Sequence, residues 1–205
     1  MKLQRLWLAG LTGLSLVVTA PARAAAPIDQ PAPAFTAASA AGGTLGLAHY
    51  AGKTVVLEWS NHDCPFVRKH YESGNIPALQ KEATANGVIW LQVLSSAPGK
   101  QGHVDAATAM QLNADRGAAP TATLLDPEGR LGRLYGASTT PHLFIIAPDG
   151  RLAYKGAIDS IASSRKEDLA QASNYVRAAL GELAAGRKPA PASTQPYGCG
   201  VKYAD

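Results

Sequence analysis

Two cysteines are the side chains of this sequence best suited to covalent chemistry, because a thiolate is a nucleophile and can also form a disulfide. Cys64 lies in the segment WSNHDCPFVRKH and is followed at once by Pro65, whereas Cys199 lies in the C-terminal segment PYGCGVKY. Proline favours the first position of a helix, so we expect Cys64 to be the N-cap of a helix that follows a buried strand. Free backbone N–H groups and the helix dipole stabilise a thiolate there. The alternative is an inert, buried cysteine.

The charged neighbours of Cys64 act in opposite directions on the pKa of its thiol. Arg68 and Lys69 place positive potential in the first turns of the predicted helix, which favours the thiolate. The adjacent carboxylate of Asp63 disfavours a second negative charge. We expect the two cations and the helix end to outweigh Asp63, so that the pKa of Cys64 lies below its ordinary value.

Apolar segments and helical patterns alternate along the chain, which predicts an α/β fold with a central mixed β-sheet flanked by helices. Near-continuous apolar runs such as VIWLQVL are typical of strands buried on both faces. A PDG turn joins the last two strands into an antiparallel hairpin, and Asp105 is the predicted N-cap of the third helix. The predicted strands cover residues 54–59, 88–94, 121–125, 143–147 and 152–155, and the predicted helices cover residues 65–71, 77–86, 105–116 and 166–185.

The first 24 residues have the layout of a cleaved secretory signal peptide. Lys2 and Arg5 precede an uncharged apolar run over residues 6–20, and the sequence ARA at residues 22–24 offers a small-x-small cleavage site. The apolar run is shorter than the roughly 20 residues that a membrane span needs. We therefore expect a soluble protein, periplasmic or secreted, without stable membrane association after cleavage. An uncleaved N-terminal anchor is the alternative.

The rest of the chain is expected to form one domain, because its length suits a single hydrophobic core. Loss of the leader removes three of the 19 cations and none of the 15 acids, so the net charge falls to about +1. No basic cluster interleaved with aromatic residues is present, and we expect no nucleic-acid partner. We predict a flexible lead-in over residues 25–35, a domain over residues 36–185, and a Pro-rich tail over residues 186–205 that carries Cys199.

The segment TVVLEWSNHDCPFVRKHY resembles the active-site strand, loop and helix start of thioredoxin-fold proteins. It is most similar to a peroxiredoxin-like branch of the alkyl hydroperoxide reductase and thiol-specific antioxidant group. The segments LLDPEG, LYGASTTPHLFIIAPDGRLAYKG and PYGCGVKY extend the resemblance over residues 32–203. It implies that Thr140-Pro141 is the cis-proline beside the reactive sulfur, since a cis bond costs little only before proline. The backbone of Thr140 would then dock a peptide or thiol partner.

The sequence departs from the motifs of these proteins at the residues that decide the reaction. No second cysteine follows Cys64 within one helical turn, as it does in the Cys-x-x-Cys motif of thioredoxins. Asn61 occupies the position of the peroxiredoxin threonine or serine, Leu57 stands where their proline belongs, and Pro141-His142 occur where their arginine is expected. The resemblance therefore implies a thioredoxin-like fold but does not choose the substrate.

The C-terminal tail is long enough to bring Cys199 to Cys64. Residues 186–199 extend over about 40 Å at roughly 3.3 Å per residue, and Tyr197 and Tyr203 are candidates to dock them. Two-cysteine thiol peroxidases use a second cysteine that condenses with the sulfenic acid of the first, which makes Cys199 the candidate resolving thiol. Two alternatives stay open. One is a permanent disulfide that closes a loop of about 135 residues and stabilises the fold by roughly 4–5 kcal/mol, and the other is an intermolecular bridge.

Our first hypothesis is an exported thiol-dependent oxidoreductase with antioxidant activity, acting on a peroxide or a protein disulfide and reduced by a thiol partner. Its catalytic residues are Cys64, the nucleophile, and Cys199, the resolving thiol. Four further residues are expected to support them by holding the thiolate or forming the docking edge: Asn61, Arg68, Thr140 and Pro141. The second hypothesis is a non-catalytic binding module in which a structural disulfide joins the two cysteines and the groove beside the proline binds a ligand or metal.

We considered His62 and His142 as metal ligands and do not adopt this interpretation. Copper chaperones of this fold use two cysteines and a histidine, but they hold both sulfurs on one short loop, which this sequence lacks. We expect His62 to tune the charge of Cys64 or face solvent, and His142 to line the pocket. The sequence therefore predicts no metal and no cofactor.

Overall fold

The computed structural model of the protein describes residues 26–204, so the signal peptide predicted for residues 1–24 lies outside the described residues. The described strands are β1 (Thr36–Ser39), β2 (Thr44–Gly46), β3 (Val55–Trp59), β4 (Ile89–Leu94), β5 (Ala122–Leu125), β6 (Thr139–Thr140), β7 (His142–Ile146), β8 (Leu152–Gly156) and β9 (Cys199–Gly200). Seven of them form one mixed sheet in the order β2-β1-β5-β4-β3-β7-β8, and β6 and β9 form a separate two-stranded sheet.

The centre of the large sheet agrees with the sequence. Strands β3, β4 and β5 are parallel, and β7 pairs antiparallel with β3 and forms the predicted hairpin with β8. All five predicted strands are present, and their ends differ from the prediction by no more than one residue. The central mixed sheet of an α/β fold is confirmed.

The starts of α1 and α3 each follow from one residue of the sequence. Cys64 is extended, with φ −75° and ψ 122°, and Pro65 takes the first helical position, where its missing N–H is not needed. The Asp105 carboxylate accepts the N–H of Thr108 at 2.8 Å, as predicted. The helices are α1 (Pro65–Glu72), α2 (Asn75–Ala85), α3 (Ala106–Asp115), α4 (Arg130–Tyr135) and α5 (Tyr175–Ala184).

Alternate side chains of β3 enter two hydrophobic cores, one on each face of the sheet. Val56 packs in the core that contains Cys64 and the apolar residues of α1, α2 and α5. Leu57 and Trp59 pack in the opposite core, together with Tyr135 of α4. Since β3 is buried along its whole length, the segment that carries Cys64 starts from a fully enclosed strand.

The predicted helix over residues 166–185 is wrong in its first half. Residues Glu167–Ala170 form a short 3-10 helix, and the α-helix begins only at Tyr175. Asn174 breaks the pattern, because its side chain caps α5 by accepting the N–H of Arg177 at 2.9 Å. The N–H of Tyr175 donates to the carbonyl of Ile158 at 2.9 Å. The local cap and the long-range hydrogen bond to Ile158 together outweigh the helical periodicity of residues 166–174.

The segments expected outside the domain lie against it. Ala26 is 3% exposed, and the backbone of Asp29 and Gln30 exchanges hydrogen bonds with Leu152 of β8. The C-terminal tail also contacts the domain, since its strand β9 pairs with β6. Elements as short as these carry little periodicity, so three went unpredicted: the hairpin β1–β2, the helix α4 and the strand pair β6–β9.

Candidate functional site

Cys64 lies at the start of α1 and is fully buried, with 0% of its surface exposed. Its thiol donates to the backbone carbonyl of Thr140 at 3.1 Å. The bond between Thr140 and Pro141 is cis, as the resemblance to thioredoxin-fold proteins implied. The prolyl turn therefore stands beside the sulfur and presents a backbone oxygen to it.

Cys199 reaches the same place from the C-terminal tail. Strand β9 pairs antiparallel with β6, and Cys199 stands opposite Thr140 in this register. The Thr140 hydroxyl also donates to the Cys199 carbonyl at 3.4 Å. Both cysteines are free thiols, Cys64 buried and Cys199 half-buried. The tail thus brings the second sulfur to the first, and Thr140 contacts both residues.

Gly198 allows this close approach. Its φ is +133°, and a Cβ there would collide with the carbonyl oxygen of Thr140. Residues other than glycine rarely adopt such a φ. Both the backbone conformation and the lack of space for a Cβ therefore require glycine at this position. Both chain neighbours of Cys199 are glycines, and Gly198 is the one needed to lay the tail on the prolyl turn.

The two thiols differ in acidity. Burial is the largest influence on Cys64 and raises the pKa of its thiol, but hydrogen bonds from the Cys199 thiol, the Val67 N–H and the Thr140 hydroxyl together bring that pKa below its ordinary value. Burial, the hydrogen bond with Cys64 and its charge raise the pKa of Cys199 to about 11. The Thr140 carbonyl opposes ionisation, since only the neutral thiol can donate to it. Cys64 is therefore the thiol that ionises first.

Two of the predicted supporting residues hydrogen bond to Cys64 through the backbone only: the Cys64 N–H donates to the Asn61 carbonyl at 3.0 Å, and the Arg68 N–H donates to the Cys64 carbonyl at 2.9 Å. Within residues 26–204, neither side chain hydrogen bonds to the Cys64 sulfur. Asn61 accepts the N–H of Asp63 at 2.9 Å and donates to the carbonyl of Gln101 at 3.3 Å, so it shapes the loop before Cys64. Arg68 pairs with Glu72 at 3.0 Å on the surface. Any effect of Arg68 on the thiolate acts over distance and is weakened by Glu72 and water.

The two histidines that were considered as ligands are placed differently. His62 is partly exposed and lies 3.4 Å from the carboxylate of Asp63. His142 is buried, stacks on Phe144 with ring centroids 4.4 Å apart, and accepts the N–H of Ser138. Burial and the nearby charge of Lys155 lower the pKa of His142 to about 3. Among the described residues, no group of three His, Cys, Asp or Glu side chains is arranged to hold a metal ion.

A buried group of charged side chains beside the cysteines was not predicted. Lys69 Nζ lies 3.5 Å from Asp159 Oδ2, and His70 Nε2 lies 3.7 Å from the same oxygen. The hydroxyl of Tyr197 contacts all three side chains. We call Lys69, His70 and Asp159 the Lys69 cluster. One signal was available in the sequence, because His70 follows Val67 by three residues and shares the buried face of α1 with it.

A profile of the AhpC/TSA family matches residues 28–155, which include Cys64, Thr140 and Pro141. The chain belongs to the AhpC/TSA family. In this AhpC/TSA protein, Cys199 and its tail lie beyond the matched segment. No curated protein matches the sequence.

Solved structures show the fold of this AhpC/TSA protein. An uncharacterized conserved protein from Geobacillus kaustophilus has a TM-score of 0.73 at 22% identity, with 87% of this chain and 93% of that chain covered. A hypothetical protein from Sinorhizobium meliloti 1021 has a TM-score of 0.71 at 20% identity, with 88% and 97% covered. The thioredoxin domain of a thiol-disulfide oxidoreductase from Bacteroides vulgatus has a TM-score of 0.50 at 16% identity, with 71% and 96% covered. The fold is thioredoxin-like.

Proposed function

We propose that this protein is an exported thiol-dependent oxidoreductase in which Cys64 is the nucleophile and Cys199 the resolving thiol. The observation that carries this proposal is the meeting of both cysteines at Thr140: Cys64 donates to its carbonyl, and Cys199 is its partner in the strand pair β6–β9. The unequal acidity of the two thiols supports the division of roles, because the nucleophile must ionise first.

With a peroxide, the reaction runs in two steps. The Cys64 thiolate attacks one peroxide oxygen, the O–O bond breaks, the sulfur becomes a sulfenic acid, and an alcohol or water leaves with a proton. The Cys199 thiol then attacks that sulfur, a disulfide forms, and water leaves with the proton of Cys199. A thiol reductant returns two electrons and two protons. After the first step Cys64 is no longer an anion, so its charge no longer raises the pKa of Cys199.

With a disulfide substrate, Cys64 is again the nucleophile and Cys199 again the resolving thiol. The Cys64 thiolate attacks one sulfur of the substrate, a mixed disulfide forms, and the other substrate sulfur leaves as a thiolate. The Cys199 thiolate then attacks the Cys64 sulfur and releases the second substrate thiolate. The substrate is reduced and the Cys64–Cys199 pair is oxidised. Both substrate classes are therefore within reach of one cysteine arrangement.

Export is the part of the proposal that rests on residues outside the described structure. The leader pattern of residues 1–24 supports it, and a pair of cysteines that can form a disulfide suits an oxidising compartment. Among residues 26–204, no helix is long and apolar enough to span a membrane. Processing is tested by N-terminal sequencing of the protein recovered from periplasm and medium, with a start at Ala25 expected.

The test of the reaction uses single serine variants of the two cysteines. Hydrogen peroxide and oxidised glutathione are added separately to the reduced protein, and the products are identified by mass. We expect the native protein to lose two thiols and form one intramolecular disulfide. Cys199→Ser is expected to stop at a sulfenic acid or mixed disulfide on Cys64, and Cys64→Ser to react more slowly by about a hundredfold or more. Equal reaction rates of Cys64→Ser and the native protein would refute Cys64 as the nucleophile.

The complete burial of Cys64 favours a second candidate, a binding module with a structural disulfide. A sulfur with 0% exposure beneath the tail is protected from partners while the tail is in place. The reduction potential of the Cys64–Cys199 bond separates the two candidates. A value below about −300 mV indicates a structural bond, and a value between about −120 and −270 mV indicates a bond that exchanges.

A further inference from the structure

Strand β9 is too short to hold Cys199 against Cys64 by itself. Its pairing with β6 covers two residues on each strand, and such small strand pairs are not stable alone in water. Other contacts of the tail must therefore fix the position of the Cys199 thiol. The residue best placed to do so is Tyr197, which is separated from Cys199 by Gly198 alone.

The hydroxyl of Tyr197 is seated in the Lys69 cluster. It donates to Asp159 Oδ1 at 2.5 Å, accepts from Lys69 Nζ at 3.3 Å, and lies 3.3 Å from His70 Nε2. The side chains of Lys69 and His70 are 0% exposed, and that of Asp159 is 2% exposed. One hydroxyl of the tail thus completes the hydrogen bonds of buried charged groups in the domain.

Helix α1 carries both the Cys64 sulfur and two residues of the Lys69 cluster that binds Tyr197. Cys64 caps α1, and both Lys69 and His70 belong to the helix. The Phe66 ring of the same helix contacts the ring of Tyr197 edge-on, with centroids 5.8 Å apart. A single helix therefore carries the Cys64 sulfur and most of the groups that bind Tyr197, so the distance between them changes little.

The protonation states of Tyr197 and the Lys69 cluster favour a hydrogen-bonded hydroxyl at this position. Burial and Asp159 raise the pKa of Tyr197, so that its hydroxyl keeps the proton that it donates. Burial and the charge of Lys69 lower the pKa of His70 to about 4, which leaves His70 neutral at physiological pH. Without the hydroxyl, Asp159 Oδ1 would keep the N–H of Ile161 at 3.1 Å, and the buried ammonium of Lys69 would lose an acceptor. Unpaired buried polar groups are unfavourable.

We propose that Tyr197 is a positioning residue for the disulfide step: its hydroxyl, bound in the Lys69 cluster, holds the Cys199 thiol at Cys64 and keeps the tail closed over that sulfur. The disulfide step rests on the proposed function, whereas the closure of the tail does not depend on it. Tyr197 touches neither substrate nor the reacting bond, and it acts through Cys199.

The variant Tyr197→Phe removes the hydroxyl and retains the ring. The first measurement is the rate at which iodoacetamide modifies Cys64 in the reduced protein, read by mass from the tryptic peptide of residues 54–68, which separates it from Cys199 in residues 188–202. We expect modification of Cys64 to become faster by about tenfold or more, because the tail opens more often. The second is the equilibrium of the Cys64–Cys199 bond with glutathione. We expect its constant to fall by about tenfold, or about 30 mV, because the effective concentration of Cys199 falls.

Tyr203→Phe is the matched control. It removes one tail hydroxyl that donates to the carbonyl of Ala137 at 2.7 Å, on the other side of Cys199 and away from the Lys69 cluster. We expect changes of less than about twofold in both measurements. The proposal would be overturned if Tyr197→Phe had the alkylation rate and the disulfide equilibrium constant of the native protein. It would also be overturned if both variants changed these two quantities equally.

The alkylation rate of Cys64 tests the role of Tyr197, whereas formation of the Cys64–Cys199 bond tests the proposed function. If no Cys64–Cys199 bond forms with either oxidant, the function fails, and the alkylation rates of the reduced proteins still decide the role of Tyr197. If Tyr197→Phe does not fold, Phe66→Leu loosens the same seat without unpairing the Lys69 cluster. Faster alkylation of Cys64 by about threefold or more is then expected, and an unchanged rate contradicts the proposal.

Discussion

At the residue scale, Thr140 and Gly198 decide how the two cysteines meet. Thr140 offers its carbonyl to the Cys64 thiol and its backbone to Cys199. Gly198 lies so close to the Thr140 carbonyl that a side chain has no room. Neither residue has reactive chemistry of its own, but the separation of the sulfurs depends on both.

Gly198→Ala is therefore expected to lift Cys199 away from Cys64. The added Cβ collides with Thr140, and the φ of +133° is strained for alanine. We expect disulfide formation after oxidation to slow by about tenfold or more, measured by quenching with acid and counting thiols by mass. Gly200→Ala is the matched control, because its Cβ would meet only the Ser138 oxygen at 3.9 Å. Similar rates for Gly198→Ala and the native protein would show that the close approach is not required.

At the element scale, β3 carries a buried carboxylate into the middle of the domain. Glu58 is 0% exposed and accepts hydrogen bonds from Tyr71 at 2.6 Å, Trp90 at 2.8 Å and Gln80 at 3.0 Å. Burial nevertheless raises its pKa above the ordinary value of 4.5, against the effect of these donors. The hydrogen bonds tie β3 to α1, α2 and β4, so that one acidic group organises the elements behind Cys64.

The raised pKa of Glu58 sets the sign of a pH effect on stability. In the pH range just above 4.5, the folded protein binds the Glu58 proton more tightly than the unfolded chain, so this residue contributes less stability as the pH rises. Glu58→Gln lacks this dependence. Relative to the native protein, the variant is therefore expected to gain unfolding free energy between pH 4.5 and neutral pH. Urea titrations of both proteins at several pH values measure the difference, and a constant difference would contradict the raised pKa.

At the scale of the whole molecule, the C-terminal tail binds one edge of the domain after another. The Thr194 hydroxyl contacts Tyr154 of β8 at 2.6 Å, Tyr197 binds the Lys69 cluster, and Cys199 pairs with β6. The Tyr203 hydroxyl then donates to Ala137, which follows α4. The tail therefore connects elements that are distant in sequence even when both cysteines are reduced.

Oxidation is expected to raise the stability of the whole fold. A Cys64–Cys199 bond closes a loop of about 135 residues and restricts the unfolded chain, which corresponds to roughly 4–5 kcal/mol in the chain-entropy model. Urea midpoints of the oxidised and reduced native protein measure this gain. Cys199→Ser serves as the control, and its midpoint should not respond to oxidant. Equal midpoints for the oxidised and reduced native protein would mean that the bond strains the fold as much as it restricts the unfolded chain.

Local sequence was sufficient where the deciding interactions lie close together in the chain. The Cys64-Pro65 order placed the start of α1, the Asp105 cap placed α3, and the apolar runs placed the five central strands. Each of these signals acts within a turn of helix or along one strand. The long final helix was wrong because the competing partner of Tyr175, the carbonyl of Ile158, lies 17 residues earlier in the chain.

The sequence by itself determined the α/β fold, the cysteine at the helix start and the prolyl turn, because these depend on short-range patterns and on a recognisable motif. Only the tertiary structure decided how the tail is held. Lys69 finds Asp159 and Tyr197 at separations of 90 and 128 residues, and no periodicity links such positions. Buried charges are stable only when their partners converge in three dimensions. The Lys69 cluster, and with it the way in which the tail is held beside Cys64, therefore became visible only in the folded chain.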